Sequence, residues 1–291
     1  GECDTLVARK ELSSLPHFNK TIPYKFLSRK GIGCRQEGYV SYNGDVTIFR
    51  FDDVPVFDKA ASDTTLLMMF DLIAARPYRH AVIIAGDINP SAIIERMNVF
   101  SLMVPSRNPV YKKKEYVWKP LEEAEYSFTP SDISSVTVEF RSPRTPYDQM
   151  GTIQPFISEL FSNALREVAS SRLRESFMSK NIPVRSLEVR YSSSAASAGD
   201  ERFSVSVRTS RGQLMPATLA VASTLSEICS QGVGSDEYRV ARNSVLNACL
   251  KASSNDALVR QCASAYLYGA DLASPATKAR FFLSRNMSAK A

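Results

Sequence analysis

"HAVIIAGDINPSAIIERM" spans residues 80–97, and its reading decides the fold. Ala81 to Ala85 form a short apolar run with the look of a buried strand. Gly86-Asp87 marks a turn, Asn89 is a natural N-cap and Pro90 a natural first helical residue. Ile93, Ile94 and Met97 recur at helical spacing and are expected to face the core. The stretch therefore reads strand, tight turn, helix. Such a turn can carry chemistry, with a phosphate at the helix start or a metal on the carboxylate. It can equally be a corner of the fold.

Upstream, "GYVSYNGDVTIFRF" places Asn43-Gly44 between two β-rich runs, a strong hairpin signal. "SDTTLLMMFDLIAARP" follows as a helix. Ser62 or Asp63 can cap it, Leu66, Met69, Phe70 and Ile73 form its stripe, and Pro77 stops it. Residues 1 to 38 show no clear pattern. Downstream, 104 to 134 hold four prolines, Lys112-Lys113-Lys114 and several acidic residues without a sustained period.

Beyond that the pattern is regular. "SVTVEF" (135–140), "LEVRY" (187–191) and "RFSVSVRT" (202–209) alternate apolar and polar residues. In the last of these Phe203, Val205 and Val207 point one way and Ser204, Ser206 and Arg208 the other. One polar face suggests an antiparallel sheet covered on one side. A long helix fits "TIQPFISELFSNALREVASSRLRESFMS", with Ile153, Ile157, Leu160, Ala164 and Val168 on one face and Pro155 in its first turn. Another runs from about 215 to 231 and ends at Gly232. Ser235-Asp236-Glu237 opens the next, and two more follow at about 255–269 and 275–285. The class is α+β: antiparallel sheets covered on one face by helices. Three segments result: a reduced first α+β domain over 1–120 (hairpin, helix, strand, helix), a linker over 121–134, and a second α+β domain over 135–291.

Composition excludes several classes. With 291 residues, 44% hydrophobic and 23% charged, the chain can build a real core. No stretch approaches the roughly 18–20 apolar residues of a membrane helix. Net charge is +6, and the lysine run with Tyr111, Tyr116 and Trp118 reads as a solvated edge or linker. No nucleic-acid partner is expected. Five cysteines at 3, 34, 229, 249 and 262 are no disulfide scaffold, although Cys3 and Cys34 can pair in an exported protein. The last three fall in helical patterns, where buried free thiols are usual. The start without Met, together with Cys3, makes export to a periplasm or cell surface one expectation.

Catalytic motifs are missing. The two histidines, His17 and His80, have no partner at helical spacing. There is no Gly-x-Ser-x-Gly elbow and no phosphate loop. Gly232-Val233-Gly234 is too short for a dinucleotide fingerprint and sits between helices. Asp52, Asp53 and Asp58 read as an exposed turn after the hairpin.

The order of segments resembles the insulinase/pitrilysin family of zinc peptidases, which includes the mitochondrial processing peptidases. The residues carrying this are "TTLLMMFDLIAARP", "HAVIIAGDINPSAIIERM", "SVTVEFRSP", the long helix into "SRLRES", two strands, and "SQGVGSDEYRVARNSVL". In such proteins two halves close around an unfolded peptide. One half carries His-x-x-Glu-His, with zinc on the histidines and a more distant Glu, and the first Glu as general base. That motif is absent here, so no cofactor is expected in this chain and zinc only in a partner or a missing half. Many members carry Leu-Arg-Glu with a Tyr seven residues after the Arg, and these hold the peptide. Leu173-Arg174-Glu175 matches, but Asn181 stands at the Tyr position. Arg174 and Asn181 are the substrate-binding candidates, against an Arg–Glu surface pair on the last turn. Gly86 and Asp87 become the structural turn, Gly86 for its backbone freedom and Asp87 for bonds to nearby amides.

Three functions stand open. The chain can be a non-catalytic homologue that binds extended peptide and pairs with a zinc-bearing family partner or with itself. It can be a fragment of an active zinc metallopeptidase. It can be a stand-alone scaffold reusing the fold.

Overall fold

Residues 11–19, 22–41, 44–75, 80–105, 127, 131–193, 200–251 and 253–285 are described by the computed structural model. The chain divides into two units, Gly1–Tyr116 and Val117–Ala291. Each combines helices with an antiparallel sheet, which is the α+β class.

In the first unit α1 (Ile22–Lys30) leads into a hairpin of β1 (Gly33–Ser41) and β2 (Gly44–Asp52). The register runs from Gly33 opposite Asp52 to Ser41 opposite Gly44. Gly44 thus opens β2 instead of sitting inside the turn, and the connecting residues 42 and 43 lie outside the described ones. Helix α2 (Lys59–Ala74) is capped by Asp58, whose carboxylate accepts from the Ala61 N–H at 3.0 Å and pairs with Lys30 at 2.5 Å. Ser62 and Asp63 lie inside the helix, because Asp58 supplies a cap one turn earlier. The core gathers Leu12, Leu15, Leu27, Ile32, Met68 and Leu72. Asp52 sits between Arg35 (2.7 Å) and Arg50 (2.6 Å), so Asp52, like Asp58, is held in internal pairs.

The stretch at 80–97 differs from its reading in two ways. Residues 81–85 carry no strand pairing among the described residues, and Val82, Ile83 and Ile84 are half-buried. An apolar run satisfies the side-chain pattern of a strand, but a strand also needs a ladder partner. Helix α3 (Pro90–Ser101) starts as expected, with Asn89 accepting from the Ala92 N–H at 3.3 Å. It has no fully buried residue, and Ile94 is 57% exposed. Phe100 near Phe70 (6.1 Å between ring centroids) and Arg96 on Asp63 (3.0 Å) attach it to α2.

The second unit is built on three antiparallel strands, β3 (Ile133–Ser142), β4 (Val184–Ser192) and β5 (Glu201–Ser210), in the order β3-β5-β4. β3 starts two residues before the expected domain boundary at 135. Val138, Val205 and Val189 stand side by side across the sheet, as do Val136, Val207 and Leu187. Val205 and Val207 are fully buried. Helix α4 (Ile153–Ser179) is about 40 Å long at 1.5 Å per residue. It serves three clusters along its length. Leu173 and Phe177 pack on the sheet with α5 (Leu214–Gln231). Ala164 and Val168 pack on Tyr238 and Ala241 of α6 (Ser235–Cys249). Leu160 meets Leu246 of α6 and Phe282 of α8 (Pro275–Arg285). The expected stripe is right at its centre, whereas Ile153 at the helix start is 48% exposed. Between α6 and α8 lies α7 (Asn255–Tyr268), closed by Gly269 in the left-handed region at φ 78°. Gly232 closes α5 differently, at φ 75° and ψ −160°, with its N–H on Ile228 O.

Candidate peptide-binding surface and its supports

Strand alternation gives the second-unit sheet a polar outer face. Thr137, Ser206 and Glu188 form one row, and Glu139, Ser204 and Arg190 the next. The Thr137 and Ser206 hydroxyls are 2.6 Å apart, Glu188 pairs with Arg190, and Glu139 lies 3.9 Å from Arg202. Among the described residues β3 and β4 are each paired on one side only. Such edges expose N–H and C=O groups that an extended peptide can pair with. A bulge between Val184 and Ser186 interrupts β4 at its start.

Arg174 lies on α4, which packs against β4. It is exposed, and among the described residues no carboxylate lies within ion-pair distance of it. The Arg–Glu surface pair is therefore not formed by Arg174. Asn181 has φ 49°, and just beyond it the Ile182 N–H donates to Phe177 O at 2.9 Å. This is the closure of a helix by a residue in the left-handed region, where Asn is among the few tolerated side chains. Asn181 thus has a structural task that accounts for its identity.

The arginine that the fold does engage is Arg172, two residues earlier. Its guanidinium donates to both oxygens of Glu237 (2.8 and 2.6 Å) and to Gly232 O at 3.2 Å. Glu237 also accepts from the Gly234 N–H at 3.4 Å. Gly234, not Ser235, is the N-cap of α6, and having no side chain it leaves only the glutamate half of a capping box. The hydrogen bonds from Arg172 hold the Glu237 carboxyl below its usual range, and Glu237 in turn raises Arg172. "SQGVGSDEYRVAR" is thus a splice between the end of α5, the start of α6 and the middle of α4.

At the other end of the chain, Asp71 on α2 is 1% exposed and takes two hydrogen bonds from His17. One comes from the backbone N–H (3.2 Å), and Nδ1 lies 2.6 Å from the other oxygen. A buried carboxylate orienting a half-exposed imidazole is a geometry used in metal and acid–base sites. Sequence gave His17 no signal, because its partner lies 54 residues away. Among the described residues no three His, Cys, Asp or Glu side chains converge to hold a metal ion, so this donor set does not fit zinc and no zinc-dependent step is assigned to it. Gly86 and Asp87 are both exposed, and Ile88 N–H closes a tight turn on Gly86 O at 3.0 Å. Asn89, rather than Asp87, caps the helix.

Of the cysteines, Cys34 is pushed up to about 11 by burial and by Asp52, which keeps it a thiol. Cys229 and Cys262 are exposed rather than buried. Cys3 and the run Lys112–Lys114 lie outside the described residues. No helix among the described residues is long and apolar enough to cross a membrane.

No family sequence model and no curated protein sequence matches the chain. Solved structures do match. A "predicted insulinase family protease" from Yersinia pestis aligns over 96% of this chain and 76% of its own, with a TM-score of 0.71 and 11% identity. The periplasmic protease PqqL from Escherichia coli aligns over 97% of this chain with a TM-score of 0.69 and 13% identity, but over only 39% of PqqL itself. A "peptidase M16 inactive domain" from Pseudomonas fluorescens aligns over 100% of this chain and 84% of its own, with a TM-score of 0.61 and 12% identity. The chain has the insulinase (M16) peptidase fold, and its 291 residues carry no His-x-x-Glu-His motif.

Proposed function

We propose that this chain is a non-catalytic insulinase-type subunit that presents the polar face and an edge of its second-unit sheet to extended peptides. The zinc-bearing half is then supplied by a partner chain. One observation carries the reading: the fold match includes an inactive M16 domain aligned over the whole chain, while the sequence lacks the zinc motif. Arg174 supports it, being an exposed cation on the helix beside β4, able to donate to a peptide carbonyl. The match to PqqL, a periplasmic protease, favours export.

The test is a pull-down of the tagged chain from its native extract, followed by peptide hydrolysis assays on the chain alone and on any captured complex. Capture of a protein bearing His-x-x-Glu-His, with hydrolysis only in the complex, is the expected result. Self-association alone, without such a partner, overturns it. The short coverage of PqqL favours a second reading, in which the chain is a piece of a longer zinc peptidase. A His-x-x-Glu-His motif in the adjoining coding sequence would establish that alternative.

A further inference from the structure

The polar face of the second-unit sheet carries more positive than negative charge, and the surplus gathers at one end. The carboxylates on or just beside that face each have a cation. Glu188 pairs with Arg190, Asp200 pairs with Arg141, and Glu139 lies 3.9 Å from Arg202. Arg208 on β5 and Arg185 on β4 are different: both are exposed, and among the described residues no carboxylate lies within ion-pair distance of either.

The strand register brings these two together. Arg208 stands between Ser135 of β3 and Ser186 of β4, and Arg185 is the extra residue of the β4 bulge, next to Ser186. Ser186 is short and exposed, so no bulky side chain in that row separates Arg208 from the free edge of β4. Beyond this row come Asp132 and Arg211, one acid and one base, both exposed, which leave the surplus unchanged. A charge on an edge strand also deters pairing between copies of a chain. That role suits Arg185 alone, because Arg208 lies on the central strand, where there is no edge to protect.

A strand added to β4 would lie about 4.8 Å from it and about 10 Å from β5. A glutamate on the outer face of that strand would meet Arg185 directly and Arg208 across Ser186. Carboxylate–guanidinium hydrogen bonds are charge-assisted, which makes them among the strongest available to an exposed peptide. We propose that the free edge of β4 selects acidic extended peptides, with carboxylates at alternate positions facing Arg185 and Arg208; this rests on the peptide-binding reading above and adds its substrate class.

The test is titration calorimetry of the full chain with Ac-Ser-Val-Glu-Val-Glu-Val-Ser-amide and with its Gln and Lys counterparts at low salt. Alternation puts both substituted positions on one face of the peptide strand. Two exposed pairs at about threefold each predict the acidic peptide about tenfold tighter than the Gln peptide, with the Lys peptide weakest. High salt is expected to shrink the difference. Arg208→Gln and Arg185→Gln are each expected to weaken the acidic peptide about threefold and to leave the Gln peptide unchanged. Arg260→Gln removes the same charge from an exposed position on α7 and is expected to change neither. All three positions are exposed, where substitution leaves the fold intact. Equal affinity for the three peptides would overturn the acidic preference and leave the peptide surface standing. Binding of none would overturn both. A loss in Arg208→Gln without one in Arg185→Gln would overturn the choice of edge. An equal loss in Arg260→Gln would reduce the preference to net charge and overturn the site.

Discussion

The Arg172–Glu237 pair offers the most direct check on how this unit is held together. Its side chains are 22% and 31% exposed, and the contact is bidentate at 2.8 and 2.6 Å. Exposed pairs contribute about 0–1 kcal/mol, and breaking a fully buried one costs about 3–5 kcal/mol. A half-buried bidentate pair belongs between them, so a double-mutant cycle with Arg172→Ala and Glu237→Ala is expected to give a coupling of about 1–2 kcal/mol at pH 7. Arg172→Lys is expected to lose roughly half of that, because an ammonium cannot make both bonds at once. The pH dependence has a definite sign. Glu237 is depressed in the folded chain by the Arg172 hydrogen bonds, so its contribution is complete above the unfolded carboxylate pKa and disappears as pH falls through the folded one. Arg172 is raised, so its own share persists across the accessible range below the unfolded arginine pKa. Urea unfolding of the four proteins at pH 7 and in acid reads both effects. A coupling under about 0.3 kcal/mol at pH 7 would refute the reasoning, as would one unchanged in acid below the folded pKa.

Arg174→Ala, by contrast, is expected to leave stability within about 0.5 kcal/mol while weakening an extended peptide about fivefold, read by calorimetry beside urea melts. Asn181→Gly should keep both stability and peptide affinity, while Asn181→Val should lose about 1–2 kcal/mol from the left-handed position. A drop in peptide affinity in the glycine variant would show that the Asn181 side chain also holds the peptide. At Gly269 a Cβ would meet the Tyr147 ring at 2.9 Å, so Gly269→Ala should cost about 1–2 kcal/mol, seen as a lower urea midpoint with an unchanged slope.

What could be read from sequence was local. Alternation over 202–209 put Val205 and Val207 inward, and both are fully buried. Gly232 ends its helix, and Asn89-Pro90 begins another. The misreadings share one cause. Whether 81–85 joins a sheet depends on a strand elsewhere, and whether Ile94 is covered depends on what lies over α3. Arg172 and Arg174 sit two apart on one helix, so spacing places them on different faces but cannot say which faces Glu237, 65 residues on. A glutamate at the third position of a helix whose cap is glycine was the usable signal. Glu237 has no side-chain cap to reciprocate with, so a strong second donor was to be expected.

The same division governs function. At 11–13% identity the match to the solved structures is one of backbone arrangement, and many sequences with a suitable apolar pattern can satisfy it. Catalysis by those relatives' chemistry needs a few side chains at fixed separations, which the apolar pattern neither requires nor protects. His17 and Asp71 show the point. They meet at 2.6 Å with a buried carboxylate holding an imidazole, yet no further ligand converges on them among the described residues. Packing, caps and even an oriented histidine therefore do not by themselves assemble a zinc site. Peptide affinity is the property to measure in this chain, because an edge strand and a polar sheet face do not depend on a catalytic motif.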